Sequence, residues 1–341
     1  MIVDTFQPAD AARWDAYVFA HPEATFFHRA GWERVVREAL GHRTHFLYAE
    51  DKNGAVTGVL PLAEVRSLLF GHALVSLPCC VYGGLLADGD AARRALDEAA
   101  QALAAGLGVD HLEYRHRTPV HPEWAGKDLY CTFRKPLASD PEANFQAIPR
   151  KQRRMVRQGI KAGLTADEET GVERFFPIYA ANVHRLGTPV FARDYFQCLM
   201  DVFGDDCRVL TVSGGGEALA TVMTFYFRDE VLPYYGGGTP AARRVAGYDF
   251  MYWELMRRGC EAGYLVFDFG RSKRGTGSFS FKKNWGFEPQ PLHYEYQLYR
   301  GRAVPDHNPL NPRYRRLGRL WARLPLPVAN WLGPKIVRGL G

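Results

Sequence analysis

The 341-residue sequence predicts an α/β (α+β) fold built twice, as two modules in tandem. Three observations lead there. The chain exceeds the length that one small core requires, so two domains of ordinary size are expected. Each half follows one order: paired β-rich runs, a glycine turn, a long helix, then a strand. Two anchors also align the halves. VYGGLLADGDAARRA (81–95) and YYGGGTPAARRVA (234–246) share an aromatic before Gly-Gly and a following Ala-Ala-Arg-Arg.

In chain order, AARWDAYVFA (11–20) and AGWERVVREAL (30–40) read as helices. THFLYAEDKNGAVTGVLPLAEV (44–65) is two β-rich runs around Asn53-Gly54, a hairpin turn. HALVSLP (72–78) follows as a strand, and the alanine-rich helix 90–108 leads into the strand VDHLEYR (109–115). In the second half, 207–238 gives strands around a glycine turn, 241–263 a long helix, and YLVFDFG (264–270) a strand.

The joint falls in SDPEANFQAIPRKQRR (139–154), where Pro141 opens a short helix and Pro149 starts a basic one. The expected domains are therefore 1–147 and 148–289. FEPQPLHYEYQLYRG (287–301) is β-like, and PDHNPLNP (305–312) reads as a loop. The tail from Arg313 carries tryptophans, leucines and arginines at roughly helical spacing, broken by prolines.

Hydrophobic content of 47% with 23% charged residues describes a folded globular chain. It has no apolar run long enough to span a bilayer and no basic-then-apolar N-terminus, which predicts a cytoplasmic protein. The six cysteines form no CxxC pair and no cysteine–histidine cluster of zinc spacing, so no metal is expected. The net charge of +6 is unevenly placed. RKQRRMVRQGIK (150–161) has six basic residues and no acid, and the chain from Arg313 has seven more and no acid. Those two segments carry +13, which leaves −7 on the rest. Anionic partners at two defined places are the expectation.

The element order of each half is that of a GNAT-type acyltransferase module. Two such modules with a basic helix between them resemble the FemAB (Fem/BioF2-like) family. TFFHRAGWERVVREALGH (25–42), IPRKQRRMVRQGIKAGL (148–164) and FDFGRSKRGTGSFSFKKNWGF (267–287) carry the resemblance. The tail NPLNPRYRRLGRLWARLPLPVANWLGP (308–334) resembles the branch associated with exosortase/PEP-CTERM exopolysaccharide systems. The resemblance implies two GNAT-like domains, with the C-terminal segment 290–341 packing back on the first. It also implies transfer of an aminoacyl group from charged tRNA to an amine on a peptidoglycan precursor, or a related acyl transfer.

Through this resemblance Lys282 aligns with a lysine that follows an aromatic in the late motif. A cation held beside a reacting carbonyl stabilises the oxyanion formed when an amine attacks an ester or thioester. Lys282 is assigned that role and Lys283 a donor-phosphate contact; the alternative is two exposed lysines at a helix end. Asp268 and Arg271 close a strand at its carboxyl end, where α/β ligands bind. Asp268 orients the acceptor amine, pairs with Arg271, or simply holds the loop. Ser272 and Asn284 are candidate polar contacts, and Trp285 is a stacking wall or a core residue.

Arg150, Arg153, Arg154 and Arg157 follow i, i+3, i+4, i+7 spacing and share one helix face. Their guanidinium forks suit a diphosphate or a tRNA backbone, unless acids elsewhere pair with them. The resemblance places ANVHRLGTPVFARDYF (181–196) near the acceptor, so His184 is a proton acceptor or a structural residue. Tyr235 with its three following glycines, and Tyr82 with its two, let backbone approach a ligand or pack tightly.

Dinucleotide (GxGxxG), P-loop and GxSxG motifs are absent. RVAGYD (244–249) is similar to the acetyl-CoA pyrophosphate loop of single-domain GNAT enzymes, but Asp249 stands where a small residue belongs. That puts CoA at this loop in doubt. The leading expectation is a direct N-acyl transfer with no tightly bound cofactor, from aminoacyl-tRNA to an amine on a phosphate-bearing envelope or exopolysaccharide precursor. An acyl-CoA or acyl-carrier-protein donor is the runner-up. A third reading is a non-catalytic adaptor that meets RNA or membrane through its basic segments, with 313–341 as the contact to the inner membrane.

Overall fold

The computed structural model describes residues 1–301, 303–305 and 311–340. The stretch PDHNPLNP, expected as a loop, lies largely outside the described residues. The chain divides into two compact units. The first takes Met1–Asp128 and the stretches that begin at Pro291 and Lys335; the second takes Leu129–Gln290 and the stretch ending at Pro334.

The first unit is an antiparallel-to-mixed sheet of β1 (Ile2–Thr5), β2 (Arg43–Glu50), β3 (Val56–Ser67), β4 (Gly71–Ser76), β5 (Leu86–Ala87), β6 (His111–His116) and β7 (Ala125–Lys127). It also contains the late strand β16 (His293–Leu298). The order is β1-β2-β3-β4-β6-β16-β7, with β5 beside β3. β4 and β6 are parallel, Ala73 opposite His111 through Val75 opposite Glu113. Helices α1 (Ala11–Ala20), α2 (Gly31–Arg34) and α3 (Asp90–Leu107) complete it. α3 buries Ala92, Leu96, Ala100 and Ala104, one residue per turn, and ends where Gly108 turns left-handed at φ 64°. At the β2–β3 hairpin, Asp51 accepts from Asn53 and Ala55 main-chain N–H groups, and Gly54 supplies φ +80°.

In the second unit the strands are β8 (Tyr130–Pro136), β9 (Thr165–Glu169), β10 (Cys207–Gly214), β11 (Glu217–Phe227), β12 (Glu230–Gly238), β13 (Val266–Asp268) and β14 (Ser272–Lys273). Their order is β14-β8-β13-β12-β11-β10-β9; β15 (Pro289–Pro291) follows in sequence. The helices are α4 (Pro141–Ala147), α5 (Arg150–Lys161), α6 (Phe175–Arg185), α7 (Arg193–Phe203), α8 (Pro240–Arg244), α9 (Gly247–Glu261), α10 (Gly277–Asn284), α11 (Pro312–Trp321) and, as far as Pro334, α12 (Leu326–Val337). A core built from Phe133, Val156, Val222, Val231, Met251, Phe267 and Trp285 joins this sheet to its helices.

The division at Asp128/Leu129 corrects the expected joint at 147/148. β8 pairs with β13 and β14, which belong to the second unit. The segment 290–341 divides as well: β16 pairs with β6 and β7, while the stretch ending at Pro334 belongs to the second unit.

Candidate active site

In an open α/β sheet, ligands gather where parallel neighbours separate at their carboxyl ends. In the second unit the parallel pair is β12–β13, joined only at Glu230–Val266 and Val231–Phe267. β12 continues to Gly238, and its register against β11 slips by one residue between Pro233 and Tyr235. Such a slip bends a strand and re-aims its groups.

α10 brings a cation to this place. Thr276 caps it, accepting from the Phe279 N–H, and its last turn carries Lys282 and Lys283. The Lys282 ammonium donates to the carbonyls of Phe269, Gly270 and Arg271 at 2.6, 2.9 and 3.0 Å. It also rests over the rings of Phe133 and Phe269. Burial pushes its pKa down to about 7, against the pull of Asp268. An ammonium has three protons, and the main chain takes all of them. A hydrogen bond from this ammonium to an oxyanion would need one of them released. As it stands, Lys282 supplies charge and fixes the 269–271 turn. Lys283 is exposed beside the Phe279 ring.

Asp268 is fully buried, and Oδ1 accepts from Thr132 Oγ1 at 3.1 Å and from the Gly270 N–H at 2.7 Å. Arg134 pairs with its other oxygen at 3.3 Å and also meets Glu230. An enclosed carboxylate with these partners cannot reach an acceptor amine, so the loop-holding reading replaces the amine-orienting one. Arg271 lies over the Tyr130 ring at 4.8 Å, with Lys273 near the same ring. Ser272 is buried on β14 opposite Cys131, its Oγ without a hydrogen-bond partner. Asn284 is exposed. Trp285 is fully buried among Tyr252, Phe269 and Phe281, a core residue that also walls a cavity of about 290 Å³ with Lys135, Met256 and Phe287.

α5 buries Gln152, Val156 and Gly159 and turns its arginines the other way. Arg150, Arg154 and Arg157 are exposed and Arg153 half-buried. Arg153 donates to Gln146, and Arg157 lies over the Phe145 ring. No carboxylate pairs with any of the four among the described residues. The buried face covers the start of α9. Gln152 donates to Asp249 Oδ1 at 3.2 Å, Gln158 to the Arg244 carbonyl at 3.0 Å, and a Cβ on Gly159 would lie 2.8 Å from Phe250. Asp249, held inside, has its pKa pushed up to about 6 by burial.

His184 and Tyr235 are engaged elsewhere. His184 Nε2 lies 3.2 Å from the Trp321 carbonyl, which ties the end of α6 to α11 and favours its structural reading. Tyr235 bonds Tyr195 hydroxyl to hydroxyl at 2.8 Å inside a cluster with Tyr179, Phe191 and Phe196. A Cβ on Gly237 would sit 3.1 Å from Tyr179 Cα, so this glycine serves the approach of α6. Sequence reasoning missed Tyr130, Thr132 and Arg134. The signal is present: in YCTFRKP, Cys131 and Phe133 alternate with Thr132 and Arg134 at a strand period.

Residues 145–283 match the family model for the acetyltransferase (GNAT) domain. No curated protein matches the chain. Among solved structures, the crystal structure of FemX superposes with a TM-score of 0.69 at 14% identity, covering 93% of this chain and 100% of that one. The C-terminal domain (DUF2156) of a candidate lysylphosphatidylglycerol synthetase from Agrobacterium fabrum gives 0.59 at 14%, over 85% and 92%. A tandem GNAT protein from the clavulanic acid biosynthesis pathway gives 0.55 at 13%, over 89% and 99%. At such identities the likeness is one of fold, and it extends over both units.

Proposed function

We propose that this chain, an acyltransferase of tandem GNAT fold, forms an amide by direct transfer of an aminoacyl group from charged tRNA to an amine on a phosphate-bearing envelope or exopolysaccharide precursor. One observation carries the choice of donor. The start of α9, where the sequence resembles a CoA pyrophosphate loop, is covered by the inner face of α5 and holds a buried Asp249. A dianionic pyrophosphate there would meet a carboxylate and a packed helix. The arginines on the outer face of α5 have no carboxylate of their own and suit a polyanion bound outside.

In the reaction the acceptor amine attacks the ester carbonyl, a C–N bond forms, and the ester C–O bond breaks. The amine's proton leaves with the released tRNA hydroxyl. The acyl carbonyl lies where β12 and β13 separate, in the field of the Lys282 charge. Such a field counts for more the less water surrounds the reacting atoms. Lys282 acts by holding the 269–271 turn and by its charge, and Arg271 and Lys283 border the donor.

The match to an acetyltransferase model favours a second reading, an acyl-CoA donor. One experiment separates the two. Full-length protein with an amine acceptor is given either aminoacyl-tRNA or acyl-CoA, and loss of each acyl group is followed. Consumption of aminoacyl-tRNA supports the proposal; consumption of acyl-CoA alone replaces it with the second reading.

A further inference from the structure

We infer that the outward face of α11 and α12 docks the chain on an anionic lipid surface. The inward side of this pair is fixed by backbone. A Cβ on Gly318 would lie 3.2 Å from the Gly187 carbonyl oxygen, and a Cβ on Gly333 2.8 Å from that of Val190. The Trp321 carbonyl meets His184. These contacts set which way the helices face.

At 100° per residue, with Gly318 inward, Arg316 and Leu320 point outward and Leu317 and Arg319 flank them, while Arg323 is exposed in the turn after α11. The exposures agree: Leu320 is 59%, Leu317 53% and Trp331 64% accessible, with Val328 at 40%. Leu186, one residue before the Gly187 contact, is 64% exposed. Arg315, Arg316, Arg319 and Arg323 are exposed, and their side chains form no ion pair or hydrogen bond among the described residues. The sequence from Asn311 to the end contains no acid.

Charge and apolar surface are therefore interleaved on one face, and this combination selects the partner. Leucine, valine and tryptophan side chains gain by entering the headgroup–acyl boundary, where arginines meet lipid phosphates. On a nucleic acid the arginines would be satisfied but the leucines would gain nothing, since single strands reward aromatic stacking. A second copy of the face would bring arginines against arginines. The helices have 10 and 12 residues, and a span needs about 20, so they lie on the surface. The inference does not depend on the acyl donor.

The test uses full-length protein in flotation with phosphatidylcholine vesicles, with and without phosphatidylglycerol. The protein should float only with phosphatidylglycerol. Leu320→Glu/Trp331→Glu and Arg316→Glu/Arg323→Glu should each weaken this at least about tenfold. Circular dichroism should be unchanged, as should acyl transfer measured without vesicles. Should a variant unfold, quenching of wild-type tryptophan fluorescence by brominated phosphatidylglycerol supplies the reading. Absence of phosphatidylglycerol-dependent flotation, or flotation indifferent to both variants, overturns the inference. So does loss in the arginine variant alone with competition by uncharged RNA, which would make the face a nucleic-acid contact.

Discussion

Each unit closes the end of its parallel strand pair with a cation laid on main-chain carbonyls, but the two cations differ in kind. In the first unit Arg115, on β6, donates to the Leu77 and Cys80 carbonyls at 3.2 and 2.8 Å and to Glu113 at 2.7 Å. The segment it holds includes Leu77 and Cys79 at positive φ. It is also tied by Tyr294 to the Val81 carbonyl and by His28 to that of Gly84. Burial works against its charge, yet the Glu113 carboxylate keeps the guanidinium charged, above its usual value. In the second unit Lys282 holds three carbonyls with no carboxylate hydrogen-bonded to it, and its pKa falls to about 7. The first arrangement is a fixed buckle; the second titrates near neutrality. One fold used twice thus yields one end suited to structure and one suited to chemistry.

The sharpest way to break this contrast is Arg115→Met, which strands Glu113 inside without its partner. It should cost about 3–5 kcal/mol in denaturant unfolding; an unchanged melt would mean the first unit is not buckled there. Next comes Lys282→Ala, expected to lower kcat about 100-fold with substrate binding little changed. Wild-type kcat should fall as pH rises through about 7, as the ammonium loses its proton. In Lys282→Arg that alkaline limb should vanish, because a guanidinium stays charged. Stability moves the other way. Between about 7 and the ordinary value of 10.5 the unfolded chain holds the proton that the folded chain has released. The folded state therefore gains with pH in that window, by at most ~1.4 kcal/mol per unit, and Lys282→Met removes the slope.

A smaller effect is expected at Asp249. Its folded pKa of about 6 lies above the ordinary 3.8, so stability is lost as pH rises through that interval. Asp249→Asn should raise stability at pH 7 by about 1–2 kcal/mol and leave it unchanged in acid below both values, as thermal melts across pH will show. The smallest effect falls on the exposed stripe of α5. Arg150→Ala/Arg154→Ala should leave the melt alone. It should raise KM for the phosphate-bearing substrate about tenfold and flatten the salt dependence of binding by about two contacts.

Much of this was legible where structure is local. The Asn53-Gly54 turn, the one-per-turn alanines and leucine of α3, and the basic face of α5 all follow from spacing within a few residues. The repeated Ala-Ala-Arg-Arg was legible but not equivalent. In the first unit it lies within α3; in the second it forms the separate α8, because Ala246 turns left-handed and restarts the helix. The domain joint was misread because β8 is claimed by β13 and β14, more than a hundred residues later, and no local pattern records such pairing. The candidate site was half legible. The late motif led to Lys282, but that its three protons go to carbonyls, and that Asp268 is enclosed by Thr132 and Arg134, are matters of long-range packing.

β16 has a consequence for how the chain is made. β6 is synthesised by residue 116, yet the strand beside it, which among the described residues is also the sheet partner of β7, arrives at 293–298. Until then the nascent first sheet shows an unzipped edge, the feature by which strands of separate molecules adhere. Growth of the chain therefore favours completing the later-coded sheet before the earlier one. Slow synthesis or a stall before residue 293 should send this protein into aggregates.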